Sequence, residues 1–521
     1  MKEINSMNLS WTRILVFTVI TYIFSHALML LVYGAWWDDM LLWNVSSSLL
    51  EKFLGPSSFN NPFLYAIVSS INEISSLTLK SFVYRIIPFV CWLVSCISFF
   101  FVTKKVTNHK QFTLYASLLM ASCGLNKSMI MICCYGYSIS IMLFMIGLVY
   151  FVNDFYKNSR MQIVWSSFFW LLSLLVWRSA VLVIPVIVII ACIINISFDW
   201  KSLQSYKELF LVVLKKYGII ILALVVFSGL YLTILAPKGV YHDYYHISVG
   251  HIILSPILTF TSCLSVFYQY VSGVYSTFAY VGGLYYFSLI LLPLFLLFFL
   301  KNNLDCKELS KSLLLISIVL FFFSIMPQKL IGNSYSFLCD MQNQNSRQAS
   351  LAVFPVCFII SYLFLSLNRI IRPFIVGVFF TGSILLSNYI CLDYERGWAR
   401  NVAISHFLEK HKELDGKKIL IYNNAQEYSI FKGTGDSYYE YEGCARLAYG
   451  INTQTQFRSF YVDSVFGSDF VPDYHVVFGR KEPSPRLGLK LMFTRLFKPQ
   501  EYDEIVDQML FFNLSDEQPF K

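Results

Sequence analysis

Long apolar stretches, most of them close to the length of a bilayer crossing, dominate residues 1–391 of the chain. A helix that crosses the hydrocarbon core of a membrane needs about 20 predominantly apolar residues, and as few as about 17. This criterion predicts about eleven spans. They lie near residues 12–33, 83–102, 111–126, 136–153, 162–177, 180–197, 217–236, 283–300, 312–327, 349–367 and 371–390.

One further apolar stretch, residues 250–278, is interrupted by Pro256 and Gly273. Proline removes a backbone donor and glycine weakens a helix, so both residues argue against an uninterrupted span. We expect a re-entrant or interfacial segment, or an extra hairpin that leaves the parity of the crossings unchanged.

The pattern changes after residue 391, where charged and apolar positions become mixed. A helix is predicted over 399–412, and strands over 418–422 and 474–478. The predicted fold is therefore an all-α polytopic membrane domain, residues 1–391, followed by a small α/β domain, residues 392–521.

Composition supports a membrane protein, since 56% of the residues are hydrophobic and only 14% are charged. Soluble domains carry about 25% charged residues. The net charge of +9 is spread over loops and tail rather than gathered in one patch, so we expect no nucleic-acid partner. The first apolar run has span length and no small-residue cleavage site, which favours a retained span over a signal peptide.

The distribution of Lys and Arg predicts the orientation of the chain. With the N-terminus in the cytoplasm, the inward loops carry most of these residues, as the positive-inside rule requires. An odd number of spans then places the C-terminal domain outside. We expect a multi-pass protein of the bacterial inner membrane with a periplasmic C-terminus.

The outward loops are long and polar, and such loops are where functional residues collect. The first of them, residues 34–82, begins at the end of span one with Trp36-Trp37-Asp38-Asp39. Two adjacent carboxylates at an interface raise one another's pKa, and partial loss of water raises it further. Such a group can act as a general base towards a hydroxyl or help to hold a cation. A belt of aromatic side chains followed by solvated acids would look the same in sequence.

Two amphipathic pieces follow the carboxylates within this loop. Apolar residues recur at helical spacing over 40–53, and a second apolar piece covers 62–71. Glu51 and Glu73 fall on their polar faces. We therefore predict a long first loop built of interfacial helices behind the Asp38-Asp39 pair.

This layout resembles the GT-C class of membrane glycosyltransferases, and most closely the phage-type serotype-converting O-antigen glucosyltransferases. The resemblance rests on Asp38-Asp39, the loop that follows them, the inside N-terminus and the outward C-terminal region. It implies transfer of a sugar from a polyprenyl-phosphate carrier, with an acidic residue of the first loop as base. Relatives place Gly-Arg-Pro near the end of that loop, whereas this chain has Asn60-Asn61-Pro62, so no phosphate-binding role is carried over to that position.

Elimination points to the same acidic pair. Among the outward carboxylates that precede the tail, only Asp38 and Asp39 adjoin a span end, where a lipid-borne donor can meet a water-side acceptor. The sequence does not choose between the two.

The carrier phosphate needs cationic partners. Candidates are Arg347 in an amide-rich segment, Arg178 in a short turn between two spans, and Lys329. An arginine in such a turn is costly unless it meets an anion. Arg178 is equally explained as a residue that caps carbonyls or extends to the headgroups.

The second long outward loop contains His242, Asp243 and His246 at spacing that would suit a metal on a helix. These residues lack a further strong ligand nearby, since His251 is the only other candidate, so we expect no metal there. We assign Trp37, His242, Tyr245 and His246 to stacking on sugar or acceptor groups, an arrangement that also fits the headgroup level of a membrane.

The expected reaction is an inverting displacement between a polyprenyl-phosphate sugar and a polysaccharide acceptor such as O-antigen, with no cofactor. Walker A and dinucleotide-binding motifs are both missing from the sequence. The alternatives are an O-antigen polymerase, in which we would expect more arginines in two outward loops, and a lipid or sugar transporter. A transporter would carry charge at mid-depth in its spans, and these spans are nearly free of it.

Overall fold

A computed structural model of the chain describes residues 9–515, and the parts of this range that it leaves undescribed are short. They are residues 36–38, 41, 44, 46, 56–60, 125–126, 158, 197, 200, 237–247, 281–284, 302–309, 331–349, 425–437, 460–469 and 481–486. All structural statements below concern the described residues.

Helices make up most of the described chain. Those before the C-terminal sheet are α1 (Trp11–His26), α2 (Ser47–Leu54), α3 (Pro62–Asn72), α4 (Leu77–Thr107), α5 (Lys110–Ser122), α6 (Tyr135–Lys157), α7 (Arg160–Val176), α8 (Val183–Ile196), α9 (Leu203–Thr233), α10 (Val249–Tyr280), α11 (Tyr285–Lys301), α12 (Lys311–Leu330), α13 (Val353–Ser366) and α14 (Arg372–Lys410). A 3-10 segment, Ala27–Leu31, prolongs α1.

Helix ends follow the local sequence. The side chains of Ser10, Asn61 and Ser76 accept hydrogen bonds from backbone N–H groups in the first turns of α1, α3 and α4. Such caps satisfy donors that the helix itself leaves open. Asn108 ends α4 with a left-handed backbone (φ 47°), a conformation that asparagine tolerates better than most residues.

Eight of the described helical segments are long and apolar enough to cross a membrane. Seven of them correspond to predicted spans, and the eighth is α10. The predicted spans 111–126, 162–177, 283–300 and 349–367 correspond to the shorter helices α5, α7, α11 and α13. A polytopic helical architecture is thus confirmed, with eight helices of full span length in the described part of the chain.

The interrupted stretch 250–278 is a single continuous helix, so the expectation of an extra hairpin was wrong. Pro256 has no N–H to offer the carbonyl of Ile252, but the Ser255 hydroxyl donates to that carbonyl at 3.1 Å. A neighbouring hydroxyl can satisfy a carbonyl freed by proline in a membrane helix. A Cβ added at Gly273 would lie 3.6 Å from Leu386 of α14, so the glycine sits where the two helices pack.

The C-terminal part forms a small sheet flanked by helices, which confirms the predicted α/β character, and the sheet is mixed. Its strands are β1 (Lys418–Asn424), β2 (Gln456–Ser459), β3 (Tyr474–Arg480) and β4 (Leu510–Ser515), in the order β2-β1-β3-β4. β1 pairs in parallel with β2 and β3, and β4 is antiparallel to β3. The helices are α15 (Tyr438–Tyr449), α16 (Leu487–Phe497) and α17 (Pro499–Asp507).

The connection between the two parts is helical. The helix predicted over 399–412 is the second half of α14, which runs unbroken from Arg372 to Lys410. Its later residues are buried against α15, α16 and α17. One rigid element therefore links the membrane-like bundle to the sheet domain.

Candidate functional site

The first loop begins with a tight turn that depends on Gly34. This residue has φ +93°, which residues with a Cβ rarely adopt. A Cβ at this position would also overlap the ring of Trp398. Tyr33, Trp43 and Trp398 pack around the turn with ring centroids 5.1 to 6.3 Å apart. The chain therefore leaves α1 in a direction set by packing against α14.

Side chains from distant parts of the sequence hold the carbonyl groups of residues 31–40. Arg495 donates to Leu31 O, and Arg85 donates to Gly34 O. The amide of Asn401 lies 3.4 Å from Ala35 O, and Arg446 donates to Met40 O at 2.6 Å. A backbone that forms neither helix nor sheet must find partners elsewhere when it is buried. Here guanidinium and amide groups supply partners to four of the described carbonyls.

Asp39 lies in this held segment and has 0% of its surface exposed. Its own carbonyl accepts hydrogen bonds from the backbone N–H groups of Leu42 and Trp43 at 2.9 and 2.8 Å, which closes a compact turn. Its carboxylate interacts electrostatically with Tyr84 and Tyr135. The alternative of a solvated acid therefore does not hold at this position, where the carboxylate is fully enclosed.

Arg85 is the cation of this cluster, and it too is fully buried. Its charge acts on the same two phenols, Tyr84 and Tyr135, as the charge of Asp39. One guanidinium nitrogen donates to Ile130 O at 2.6 Å and another donates to Gly34 O. Arg85 thereby ties the turn before Asp39 to the segment that precedes α6.

Hydrogen bonds link the two tyrosines to the helices of the first loop. The Tyr84 hydroxyl donates to the Asn72 side chain at 3.1 Å, and Asn72 donates in turn to Leu42 O at 2.6 Å. The Tyr135 hydroxyl donates to Tyr84 O. The turn that contains Asp39 is thus connected to α3, α4 and α6.

The helices predicted behind the acidic pair are present as α2 and α3. Glu51 and Glu73 are exposed, as expected for their polar faces. Asn61 accepts from Leu64 N to cap α3 and donates to Val176 O at 3.0 Å. It joins the end of the first loop to the turn that precedes Arg178.

The described cationic candidates for the carrier phosphate lie elsewhere in the bundle. Arg178 sits in the turn between α7 and α8, where it stacks on Tyr231 at 4.1 Å and donates to the hydroxyl of that residue at 2.8 Å. Lys329 is buried in the last turn of α12, and α12 packs against the Arg178 turn.

Several predicted site residues lie outside the described residues. They are Trp37, Asp38, His242, Tyr245, His246 and Arg347. Within the described residues, no group of three or more His, Cys, Asp or Glu side chains is arranged to hold a metal ion.

Two ion pairs join helices α15 and α16 to α14 next to the site, one partly and one fully buried. The Arg495 guanidinium donates to both oxygens of Glu395, at 2.6 and 3.1 Å. Arg400 lies 3.3 Å from Glu440, with side-chain exposures of 1% and 6%. Charges this deeply buried need their partners. The sheet domain is therefore attached through pairs that are costly to break.

Tyr33 does not compete with the carboxylate as a base. Burial raises the pKa of the Tyr33 phenol above its ordinary value of 10.0, although a hydrogen bond with Thr78 and the charge of Arg495 act in the opposite direction. The phenol stays protonated near neutral pH. Asp39 is accordingly the candidate proton acceptor among the described side chains of residues 31–40.

Sequence reasoning did not identify Arg85, Asn401, Arg446 or Arg495 as site residues. Only Arg85 carried a signal, because an arginine inside an apolar span is rare and usually functional. Asn401, Arg446 and Arg495 come from the tail, where polar and charged residues are ordinary.

Comparison with known proteins does not assign the chain to a family. No protein-family model matches it, and no similar curated protein was found.

Proposed function

We propose that the chain is a membrane glycosyltransferase that moves a sugar, glucose in our proposal, from a polyprenyl-phosphate carrier to a cell-surface polysaccharide such as O-antigen. The observation that carries the proposal is the enclosed Asp39 carboxylate, in a segment whose carbonyls Arg85 and Arg446 hold, where α1, the first loop and the C-terminal domain meet. Burying a carboxylate away from water costs free energy. A catalytic need for a proton acceptor explains why a carboxylate is buried at this position.

The proposed setting is the periplasmic face of a bacterial inner membrane, with the N-terminus in the cytoplasm. The distribution of Lys and Arg supports this orientation.

Arg446 contacts Met40, so the C-terminal domain and the first loop lie at one end of the bundle. The chain between them must then cross the membrane an even number of times. Eleven of the described helices, α4 to α14, lie between, so an even number of crossings among them requires that at least one does not cross; α5, with 13 residues, is the shortest.

The proposed reaction is an inverting displacement. A carboxylate of the Asp38-Asp39 pair accepts the proton of an acceptor hydroxyl. The hydroxyl oxygen forms a bond to the anomeric carbon of the sugar, and the bond from that carbon to the carrier phosphate oxygen breaks. The polyprenyl phosphate leaves with the electron pair. Because the carrier phosphate is an activated leaving group, the protein mainly positions the reactants and balances charge.

Arg85 supports the base rather than the donor in this scheme. Its guanidinium is engaged with Gly34 O and Ile130 O, and its charge favours the ionised form of a neighbouring carboxylate. For the carrier phosphate we propose Arg178, Lys329 and Arg347. Arg178 meets the requirement for a forked donor, and its stacking on Tyr231 orients it.

Contact with the sugar and the acceptor is proposed for the aromatic and histidine residues of the outward loops. These are Trp37, His242, Tyr245 and His246. Flat rings suit the apolar faces of sugar rings, and their polar edges can bind hydroxyls. The proposal requires neither a nucleotide nor a metal.

The test replaces each carboxylate by its amide. Asp39→Asn and Asp38→Asn keep shape and hydrogen bonding but cannot accept a proton near neutral pH. Loss of a general base costs about 10²–10⁴-fold in rate. Mass spectrometry of surface polysaccharide from cells with and without the gene identifies the sugar, and the variants are then compared by the extent of that modification.

Glu51→Gln is the matched control, because it makes the same chemical change on the exposed face of α2. It should modify the polysaccharide like the wild type. Equal modification by Asp38→Asn, Asp39→Asn and the wild type, at equal membrane expression, would remove the basis of the proposal.

A further inference from the structure

The segment that contains Asp39 is held largely by the last 130 or so residues of the chain. Asn401 of α14, Arg446 of α15 and Arg495 of α16 approach Ala35 O, Met40 O and Leu31 O, respectively. Donors from three C-terminal helices thus reach carbonyls at both ends of residues 31–40.

The contact nearest to the carboxylate is made by α15. Arg446 donates to Met40 O at 2.6 Å, and Met40 directly follows Asp39. One turn earlier on the same helix, a Cβ added at Gly443 would lie 2.8 Å from the Met40 side chain. The helix is therefore seated on Met40 through a close backbone approach and a charge-assisted hydrogen bond, which is stronger than a neutral one.

α15 is itself fixed to α14. Glu440, in its first turn, lies 3.3 Å from the Arg400 guanidinium and accepts a hydrogen bond from Asn401 at 3.2 Å. Asn401 also approaches Ala35 O, so the same amide joins α15 to the segment before the acidic pair. Arg446 is consequently presented by a helix whose place relative to α14 is determined by buried polar contacts.

We propose that Arg446 is a positioning residue for the transfer reaction. By holding Met40 O it fixes the backbone that carries Asp39, and the C-terminal domain becomes an integral part of the active site. This inference rests on the proposed function. A displacement of about 1 Å in a reacting group can cost about 10²-fold in rate, so a single backbone contact next to the base has a measurable effect.

The experiment compares Arg446→Ala and Arg446→Lys with wild-type protein in lipid nanodiscs. Hydrogen–deuterium exchange of residues 33–43 reports the contact, and transfer from a polyprenyl-phosphate sugar reports kcat and KM. We expect faster exchange in Arg446→Ala, a fall in kcat of about 10- to 100-fold, and an unchanged KM for the donor. Arg446→Lys should recover part of kcat, because the lysine ammonium can donate to Met40 O but lacks the rigid planar guanidinium that directs the bond.

Lys498→Ala is the matched control, since it removes a positive charge in the same domain from an exposed pair with Glu501, away from α15. It should change neither exchange of residues 33–43 nor kcat. A melting curve for each variant separates the local effect from loss of the fold, and Arg446→Lys remains informative if Arg446→Ala melts at a low temperature.

The outcomes separate this inference from the proposed function. Unchanged exchange in Arg446→Ala overturns the positioning role. Faster exchange with wild-type kcat also overturns it, if Asp39→Asn is inactive. Full activity of Asp38→Asn and Asp39→Asn defeats the proposed function and the positioning role together, and the exchange measurement then still decides whether the C-terminal domain holds the first loop.

Discussion

Gly34→Ala is the substitution to which the first loop should be most sensitive. The residue combines a backbone with φ +93° and a neighbour, Trp398, whose ring occupies the space of a Cβ. It also offers its carbonyl to Arg85 and lies between α1 and the acidic pair. Any movement of this turn is passed on to Asp39.

The expected cost has two parts. A residue with a Cβ held in the left-handed region costs about 1–3 kcal/mol. Forcing extra volume into a packed core costs a further ~1–3 kcal/mol. Gly34→Ala should therefore destabilise the protein by about 2–6 kcal/mol, if the two contributions add.

Gly416→Ala separates these parts. Gly416 has φ +73°, but a Cβ there would meet no atom within 4 Å. Its cost should be the backbone contribution alone, about 1–3 kcal/mol. Thermal denaturation in detergent, followed by loss of soluble monomer, should rank the proteins as wild type, then Gly416→Ala, then Gly34→Ala.

A second substitution tests the steric cause. Trp398→Leu vacates space beside Gly34, so Gly34→Ala should cost less in that background than in the wild type. Contacting residues commonly show such coupling, at about 0.5–3 kcal/mol. The reasoning is refuted if Gly34→Ala melts no lower than Gly416→Ala, or if its cost is the same with tryptophan or leucine at position 398.

The C-terminal domain gives two further predictions. Glu440→Gln leaves buried Arg400 without its counter-charge and should destabilise the protein by about 3–5 kcal/mol. The double variant Arg400→Met, Glu440→Leu removes both charges and should cost less. If Glu440→Gln melts at the same temperature as the wild type, the role of the buried pair is contradicted. Although burial raises it, hydrogen bonds from Lys410 and His406 hold the pKa of Asp507 below its ordinary value of 3.8. A lowered carboxyl pKa stabilises the fold above that value and loses this effect as pH falls through the folded pKa. The melting difference between wild type and Asp507→Asn should therefore shrink as the pH falls through the folded pKa of Asp507; a difference that grows there would contradict the assignment.

Helix positions in the bundle were largely predictable because hydropathy is a local property. A run of apolar residues must be buried or face lipid wherever it lies, and the pattern therefore located most of the helices and the change of character after residue 391. The interfacial helices of the first loop and the strands at 418 and 474 followed from the same kind of local periodicity. The continuity of α10 through Pro256 did not follow from local periodicity. It involves a hydrogen bond from the Ser255 hydroxyl to Ile252 O, which the sequence pattern does not show.

The acidic pair was found from sequence because two adjacent carboxylates at a span end are conspicuous. What surrounds Asp39 was not. Arg85 carried a signal of its own, since an arginine inside an apolar stretch is rare and usually functional.

The sequence by itself thus determined that the chain is a helical membrane protein with a small α/β domain at its end, and that Asp38 and Asp39 are candidates for its chemistry. Only the tertiary structure decided what holds that segment. The hydrogen bonds from Arg446 to Met40 O and from Arg495 to Leu31 O join residues 406 and 464 positions apart. Periodicity reports which side of a helix or strand is apolar, and it carries no information about which distant arginine meets a particular carbonyl.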